Sequence, residues 1–363
     1  MIQPKLKAGT TWLTLSDLNN GSTPDIITEQ ERNAIQFCQR WLNGKDKFVF
    51  QTSGSTGTPK KIIFTRAQLE SSARLTERAL NLQPGYTTLT CLDVNFIAGA
   101  MMLVRSLVTG MNMVIKTPSA NPLDELPEEI DFAAFVPYQI ITLLGQEPQK
   151  LDKLRTVIIG GAPLSDEVIG LLQNRLPSFY ATYGMTETIT HVALQKLNGN
   201  NRQDFFQLLP GITASTDDRG CLLLSVPHLG NHPIITNDRV LLLDEKRFRW
   251  IGRFDLVINS GGVKVQVEKI ERAVATLFQE LKIQKRFLAV GIPDQKLGEQ
   301  VVLVIEGLKL DHDQEEAIKI QLAQQVSIYE MPKALLYTPY FVETRTQKID
   351  RVKTIEIMKA KND

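Results

Sequence analysis

Between Lys61 and Thr182 short apolar runs and helical stretches take turns, and this alternation constrains the fold more than any other feature. The strand candidates of the run are Thr87–Leu92, Asn112–Ile115, Phe132–Val136 and Thr156–Ile159, with helices such as Arg66–Leu80 and Gly99–Thr109 around them; a strand Lys61–Phe64 comes before the run and a strand Phe179–Thr182 after it. Strands joined through helices run parallel and bury both faces, so the pattern predicts an α/β body. Upstream, residues 24–42 read as a helix and Lys47–Gln51 as a strand. Residues 205–251 change character. Short apolar runs such as Cys221–Val226, Arg239–Leu243 and Phe248–Gly252 are separated by turn residues, which predicts a small antiparallel, barrel-like sheet appended to the body.

After Gly252-Arg253-Phe254-Asp255 the chain starts afresh with a strand, a Gly-Gly turn, a helix (Val267–Phe278), strands Phe287–Val290 and Val301–Ile305, and a helix (Asp313–Gln325). The expectation is a large N-terminal α/β domain, residues 1–252, and a small mobile C-terminal α+β domain, residues 253–363.

Composition narrows the function. Forty-one Lys and Arg against 40 Asp and Glu leave a net charge of +1, which argues against broad binding to nucleic acid or an anionic membrane. No apolar run is long enough to span a bilayer, and the N-terminus has no signal-peptide core. Cys38, Cys91 and Cys221 form no CxxC pair and read as buried, inert thiols, so a reducing cytoplasm is expected. Four histidines show no triad spacing, and His191 reads as pocket lining at most. The oligomeric state stays open, a homodimer included.

The most informative segment for chemistry is Thr52-Ser53-Gly54-Ser55-Thr56-Gly57-Thr58-Pro59-Lys60. Glycines let backbone N–H groups approach an anion, hydroxyls donate to phosphate oxygens, and Lys60 adds positive charge. By composition alone a phosphate cradle and a plain surface turn are equally open. Pro59 before the lysine and Lys61 after it exclude a Walker A loop, and the Gly-x-Ser-x-Gly spacing of a nucleophile elbow is absent.

This nine-residue segment resembles the signature loop of the adenylate-forming superfamily, which includes acyl-CoA synthetases, luciferases and peptide-synthetase adenylation domains. Further motifs follow in the family's order over roughly residues 47–352. Gly160-Gly161-Ala162 is similar to the adenine-side turn. Tyr183-Gly184-Met185-Thr186-Glu187 is similar to the Tyr-Gly-x-Thr-Glu motif, which implies Thr186 on the nucleotide phosphate and Glu187 on Mg²⁺. Thr236-Asn237-Asp238 stands where the family has Thr-Gly-Asp and implies Asp238 on the ribose hydroxyls. Arg253 would touch ribose or phosphate, and Asp255 would be the hinge. Gly261-Gly262 would line the thiol channel, with Glu268 in the acidic position after it. Lys348, after Gln347 where glycine is usual, is the candidate adenylation lysine.

The resemblance implies an acid–CoA ligase that uses ATP, Mg²⁺ and coenzyme A and works through an acyl-adenylate. Leu92–Gly99 stands at the family's acid-pocket segment, with Phe96 in the histidine or aromatic place and Gly99 at its end. Six residues on, Arg105 lies on an apolar helix, where a lone guanidinium is costly unless it is paired. It reads either as a structural ion pair or as a fork for a second substrate carboxylate. Only 51 residues precede the phosphate loop, fewer than the family usually carries. In this short form the chain is similar to the o-succinylbenzoate–CoA ligases of menaquinone synthesis. The rival readings are an aryl- or fatty-acyl-CoA ligase for a monocarboxylate, a non-catalytic nucleotide-binding homologue and, third, a carrier-protein adenylation domain.

Overall fold

The computed structural model describes residues 3–24, 27–51, 61–124, 126, 129–343 and 349–360. Its frame is a 13-stranded mixed sheet. Five neighbouring strands at its centre, Asn112–Ile115, Thr87–Thr90, Ile130–Phe135, Leu154–Ile159 and Ser178–Gly184, run parallel as the alternation predicts. Thr87–Thr90 has Asn112–Ile115 on one side and Ile130–Phe135 on the other, so the chain order reverses there. In open α/β sheets such a switch point opens a crevice beyond the carboxyl ends of the strands.

The helices form where local chemistry directs. Arg66–Leu80 begins at a capping box in which Thr65 and Gln68 satisfy each other's backbone N–H, worth about 1 kcal/mol, and it ends at left-handed Asn81. Glu29–Leu42 opens on the same device with Thr28 and Glu31, so the helix expected over residues 24–42 starts at Glu29. Ile97–Thr109 is apolar nearly all round and is accordingly buried along most of its length.

The antiparallel strands expected over residues 205–251 are appended to the body through one short strand. Phe206–Leu208 pairs with both His191–Lys196 and Arg247–Arg253, and so splices them onto the main sheet. The N-terminal residues also add a hairpin, Lys5–Ala8 with Thr11–Thr14, docked parallel to Asn112–Ile115.

Residues from Val257 onward build their own five-stranded sheet, with the helix Val267–Glu280 against it. Its core, around Ile270, Val274, Leu277, Leu303 and Ile318, is separate from the cores of the larger sheet. Cys38, Cys91 and Cys221 are free and buried, and burial pushes the Cys38 and Cys91 thiols up to about 12. Among the described residues no helix is long and apolar enough to cross a membrane.

Candidate functional site

Three motifs emerge at the carboxyl ends of the central parallel strands. Leu92–Gly99 follows Thr87–Thr90, Gly160-Gly161-Ala162 follows Leu154–Ile159, and Thr186-Glu187 follows Ser178–Gly184. The Gly160 N–H donates to the Phe135 carbonyl at 3.0 Å, which ties the turn to the next strand. Gly99 has a packing role: a Cβ there would lie 2.3 Å from the Asp93 carbonyl oxygen, so the helix start and the preceding loop touch backbone to backbone. Phe96, at the N-cap of that helix, is half-buried.

Asp238 is 7% exposed and doubly held. The Tyr183 hydroxyl donates to its Oδ2 at 2.7 Å and the Trp250 indole N–H to its Oδ1 at 3.1 Å. Burial, then the Asp238 charge, pushes the Tyr183 phenol up, which keeps it a protonated donor. Tyr183 in turn packs on Phe206 and Phe248. A carboxylate has about four acceptor positions, so two donors leave capacity for a diol.

Arg105 is 2% exposed and has no carboxylate partner among the described residues. Its Nε donates to Thr76 Oγ1 at 3.3 Å and its Nη2 to Thr190 Oγ1 at 2.7 Å, while Nη1 meets the Met102 sulfur at 3.7 Å. Burial brings the guanidinium down to about 9. His191 completes the cluster, with Nε2 3.1 Å from Thr76 Oγ1 and Nδ1 3.4 Å from Thr190 Oγ1. Burial first, and Arg105's charge second, hold the imidazole well below its usual range, so it is neutral. The structural ion pair that the sequence left open is therefore not found among the described residues.

Local strain aims this cluster. Ile189 has φ +67° and ψ −61°, and the Thr190 N–H donates to the Thr188 carbonyl at 2.8 Å, a tight γ-turn of the hand unfavourable for an L residue. A β-branched residue there costs about 1–3 kcal/mol. Full burial of the Ile189 side chain helps offset that cost. The turn carries the chain from Glu187 to Thr190 and His191 beside Arg105. Glu187 itself is exposed and without an ion pair among the described residues, which fits a carboxylate available to a hard cation shared with substrate phosphates.

At the expected hinge, Arg253 grips Asp255 with two hydrogen bonds, 2.8 and 2.6 Å, and lies 4.0 Å from Asp238. Burial opposes ionisation of Asp255, yet Arg253 holds its carboxyl below the usual range. Glu268 accepts the Arg253 N–H at 2.8 Å, and the Gln266 amide donates to the Arg253 carbonyl at 3.0 Å. Gly261 and Gly262, with φ +60° and +79°, form the two-residue loop of the hairpin Val257–Ser260 and Val263–Gln266, whose fit to strand twist requires positive φ at both positions.

Thr52, Ser53, Gly54, Ser55, Thr56, Gly57 and Lys60 lie outside the described residues, as does Lys348. Residues 52–60 link strands Lys47–Gln51 and Lys61–Thr65, which pair antiparallel up to Gln51 and Lys61. The structure thus links Tyr183, Asp238, Arg253 and Asp255 in one chain of contacts, and Arg105 with the segment after Glu187 in another. Sequence reasoning missed Thr76, Thr190, Trp250 and Gln266. An interior arginine signals that hydroxyls must be near, but not which ones.

Known proteins match this chain along most of its length. The family described as AMP-binding enzyme matches residues 4–214. The 2-succinylbenzoate--CoA ligase of Listeria monocytogenes is 24% identical over 363 residues, covering 91% of this chain and 74% of that protein. A solved structure of an acyl-CoA synthetase (AMP-forming)/AMP-acid ligase II-like protein from Dyadobacter fermentans is 39% identical, with a TM-score of 0.62, over 94% of this chain and 97% of its own. The O-succinylbenzoate Coenzyme A synthetase from Bacillus subtilis, in complex with ATP and magnesium ion, shares the fold with a TM-score of 0.72 at 17% identity, over 85% of this chain and 69% of that one. With more than half its length matched and a relative of nearly equal extent, the chain belongs to the AMP-binding enzyme family.

Proposed function

We propose that this protein is an AMP-forming acid–CoA ligase whose acid carries a second carboxylate, with 2-succinylbenzoate as its substrate. The observation that carries the choice of acid is Arg105, a buried guanidinium held by Thr76 and Thr190 hydroxyls with no acid of its own among the described residues. A buried cation without a counter-charge is costly, and a carboxylate meeting its planar fork removes the cost and orients the substrate. The Listeria relatives named for this acid support the same reading.

In the first half-reaction a substrate carboxylate oxygen attacks the α-phosphorus of ATP, and pyrophosphate leaves. Carboxylates are ionised near pH 7, so no general base is needed. The barrier is charge repulsion and orientation, which residues aimed at phosphate and acid lower. In this reading Thr52–Lys60 cradle the phosphates, Thr186 contacts them, and Asp238 holds the ribose. Gly160-Gly161-Ala162 and Tyr183-Gly184 receive the adenine. Glu187 would hold Mg²⁺, which supplies neutralisation of phosphate charge. Lys348 bridges the carboxylate and phosphate oxygens.

In the second half-reaction a thiol attacks the acyl carbonyl and AMP leaves, with Gly261-Gly262 beside the thiol. Residues 253–363 turn as a unit about Asp255 between the two steps. Their own sheet and separate core support that division. The buried free thiols fit a reducing compartment, and we place the enzyme in the cytoplasm.

The test is AMP and thioester formation by the purified chain with ATP, Mg²⁺, CoA and a panel of acids. The reading expects thioester with 2-succinylbenzoate, dependent on all components. Turnover of monocarboxylates alone would contradict the acid assigned, and no AMP from any acid would contradict the enzyme.

A further inference from the structure

The strand Arg247–Arg253 carries an irregularity that the nucleotide motifs do not use. Against Ile234–Asp244 its register runs Asp238 with Arg253 and Arg239 with Gly252, then jumps to Val240 with Trp250, so Ile251 is an extra residue. Cross-strand partners share a face, and so do residues two apart on a strand. Asp238 and Val240 are therefore on one face, and the jump brings Trp250 onto it. Without Ile251 as an inserted residue, Trp250 would fall on the opposite face. Trp250 and Arg253 are three residues apart and both address Asp238, which a regular strand forbids. Bulges of this kind recur next to active sites, where they re-aim a side chain.

We propose that Trp250 is a positioning residue for nucleotide recognition: its indole N–H, 3.1 Å from Asp238 Oδ1, fixes the carboxylate that reads the ribose hydroxyls. The proposal rests on the reading of Asp238 as the ribose ligand. Tyr183 holds the other oxygen at 2.7 Å, so the plane of the carboxylate is set by two donors on different strands. With one donor removed, the carboxylate rotates about its side-chain bonds and its free lone pairs no longer point one way. Trp250 touches no nucleotide in this account. It acts through Asp238.

The experiment measures binding of ATP, 2′-deoxy-ATP and 3′-deoxy-ATP, each with Mg²⁺, by calorimetry on the full chain without acid. Wild type should bind at least one deoxy nucleotide roughly 30-fold more weakly than ATP, the size expected for a hydrogen bond to a charged group. Asp238→Asn should erase most of that penalty. Trp250→Phe, which keeps an aromatic ring but no donor, should reduce it to roughly 3-fold, with ATP affinity down about tenfold. Trp250→His, which restores an N–H, should recover part of it, and Trp250→Leu, which also lacks a donor, serves in place of the Phe variant should that variant not fold. A full penalty in Trp250→Phe alongside its loss in Asp238→Asn would overturn the role of Trp250. Equal penalties in wild type and Asp238→Asn would overturn the ribose reading itself, and this proposal with it.

Discussion

Two arginines of this protein are treated in opposite ways. Arg105 is sealed in the body of the large sheet, with hydroxyls and a thioether around it and no acid among the described residues. Arg253 is 40% exposed at the side chain and already grips Asp255 with two short hydrogen bonds. The first cation is built in at a cost and has no counter-charge among the described residues; the second carries its own. A fixed, unpaired charge suits recognition of one substrate group. An exposed pair at the proposed hinge would suit contacts that break and re-form, since such pairs are worth little in either state.

Changes at the two arginines should therefore differ in size and kind. The largest effect is expected from Arg105→Lys, which keeps the charge and loses the fork. The kcat/KM for a dicarboxylate should fall about 100-fold while the KM for ATP holds, and steady-state kinetics with each substrate varied would show it. An unchanged acid dependence would take Arg105 out of the pocket. Next, Arg105→Met should make the free enzyme more stable, by about 1–3 kcal/mol in urea unfolding, because a buried charge with no counter-ion is replaced by an apolar chain of similar length. A loss of stability would mean that the guanidinium is already well paired.

Thr76→Val removes the hydroxyl shared by Arg105 and His191 and should raise the acid KM about fivefold, again sparing ATP. Equal increases for both substrates would point to general damage. The smallest effect is expected at the proposed hinge. Asp255→Asn should alter unfolding free energy by less than about 1 kcal/mol, and any change in activity should appear in turnover, not in acid binding. A large stability loss there would erase the contrast between the two arginines.

Much of this contrast could be read before the structure. An arginine amid Met101, Met102, Leu103, Val104 and Leu107 is visible in the sequence, because helical periodicity leaves it no polar face. The parallel core was equally legible, since short apolar runs alternating with capped helices have few other solutions. What pairs with Arg105 was not legible. Thr76 lies 29 residues before it and Thr190 85 after, and Thr190 arrives there through a strained turn at Ile189 that no propensity favours. The continuity of residues 206–253 with the main sheet depends on Phe206–Leu208, three residues long and paired at long range. The bulge at Ile251 was hidden for a related reason. Register is settled by the partner strand, and one inserted residue reverses which side chains face the site. The motif residues Asp238, Arg253 and Asp255 were named from resemblance, and the structure places Arg253 within 4.0 Å of Asp238 and in hydrogen-bond contact with Asp255.

The central claim is that Arg105 reads a second carboxylate. Its most direct test is the ratio of kcat/KM for 2-succinylbenzoate to that for the analogue lacking the second carboxylate, measured in wild type and in Arg105→Ala. A guanidinium that reads the second carboxylate should give a strong preference for the dicarboxylate in wild type that falls to near unity in the variant. A ratio that is the same in both proteins would contradict it.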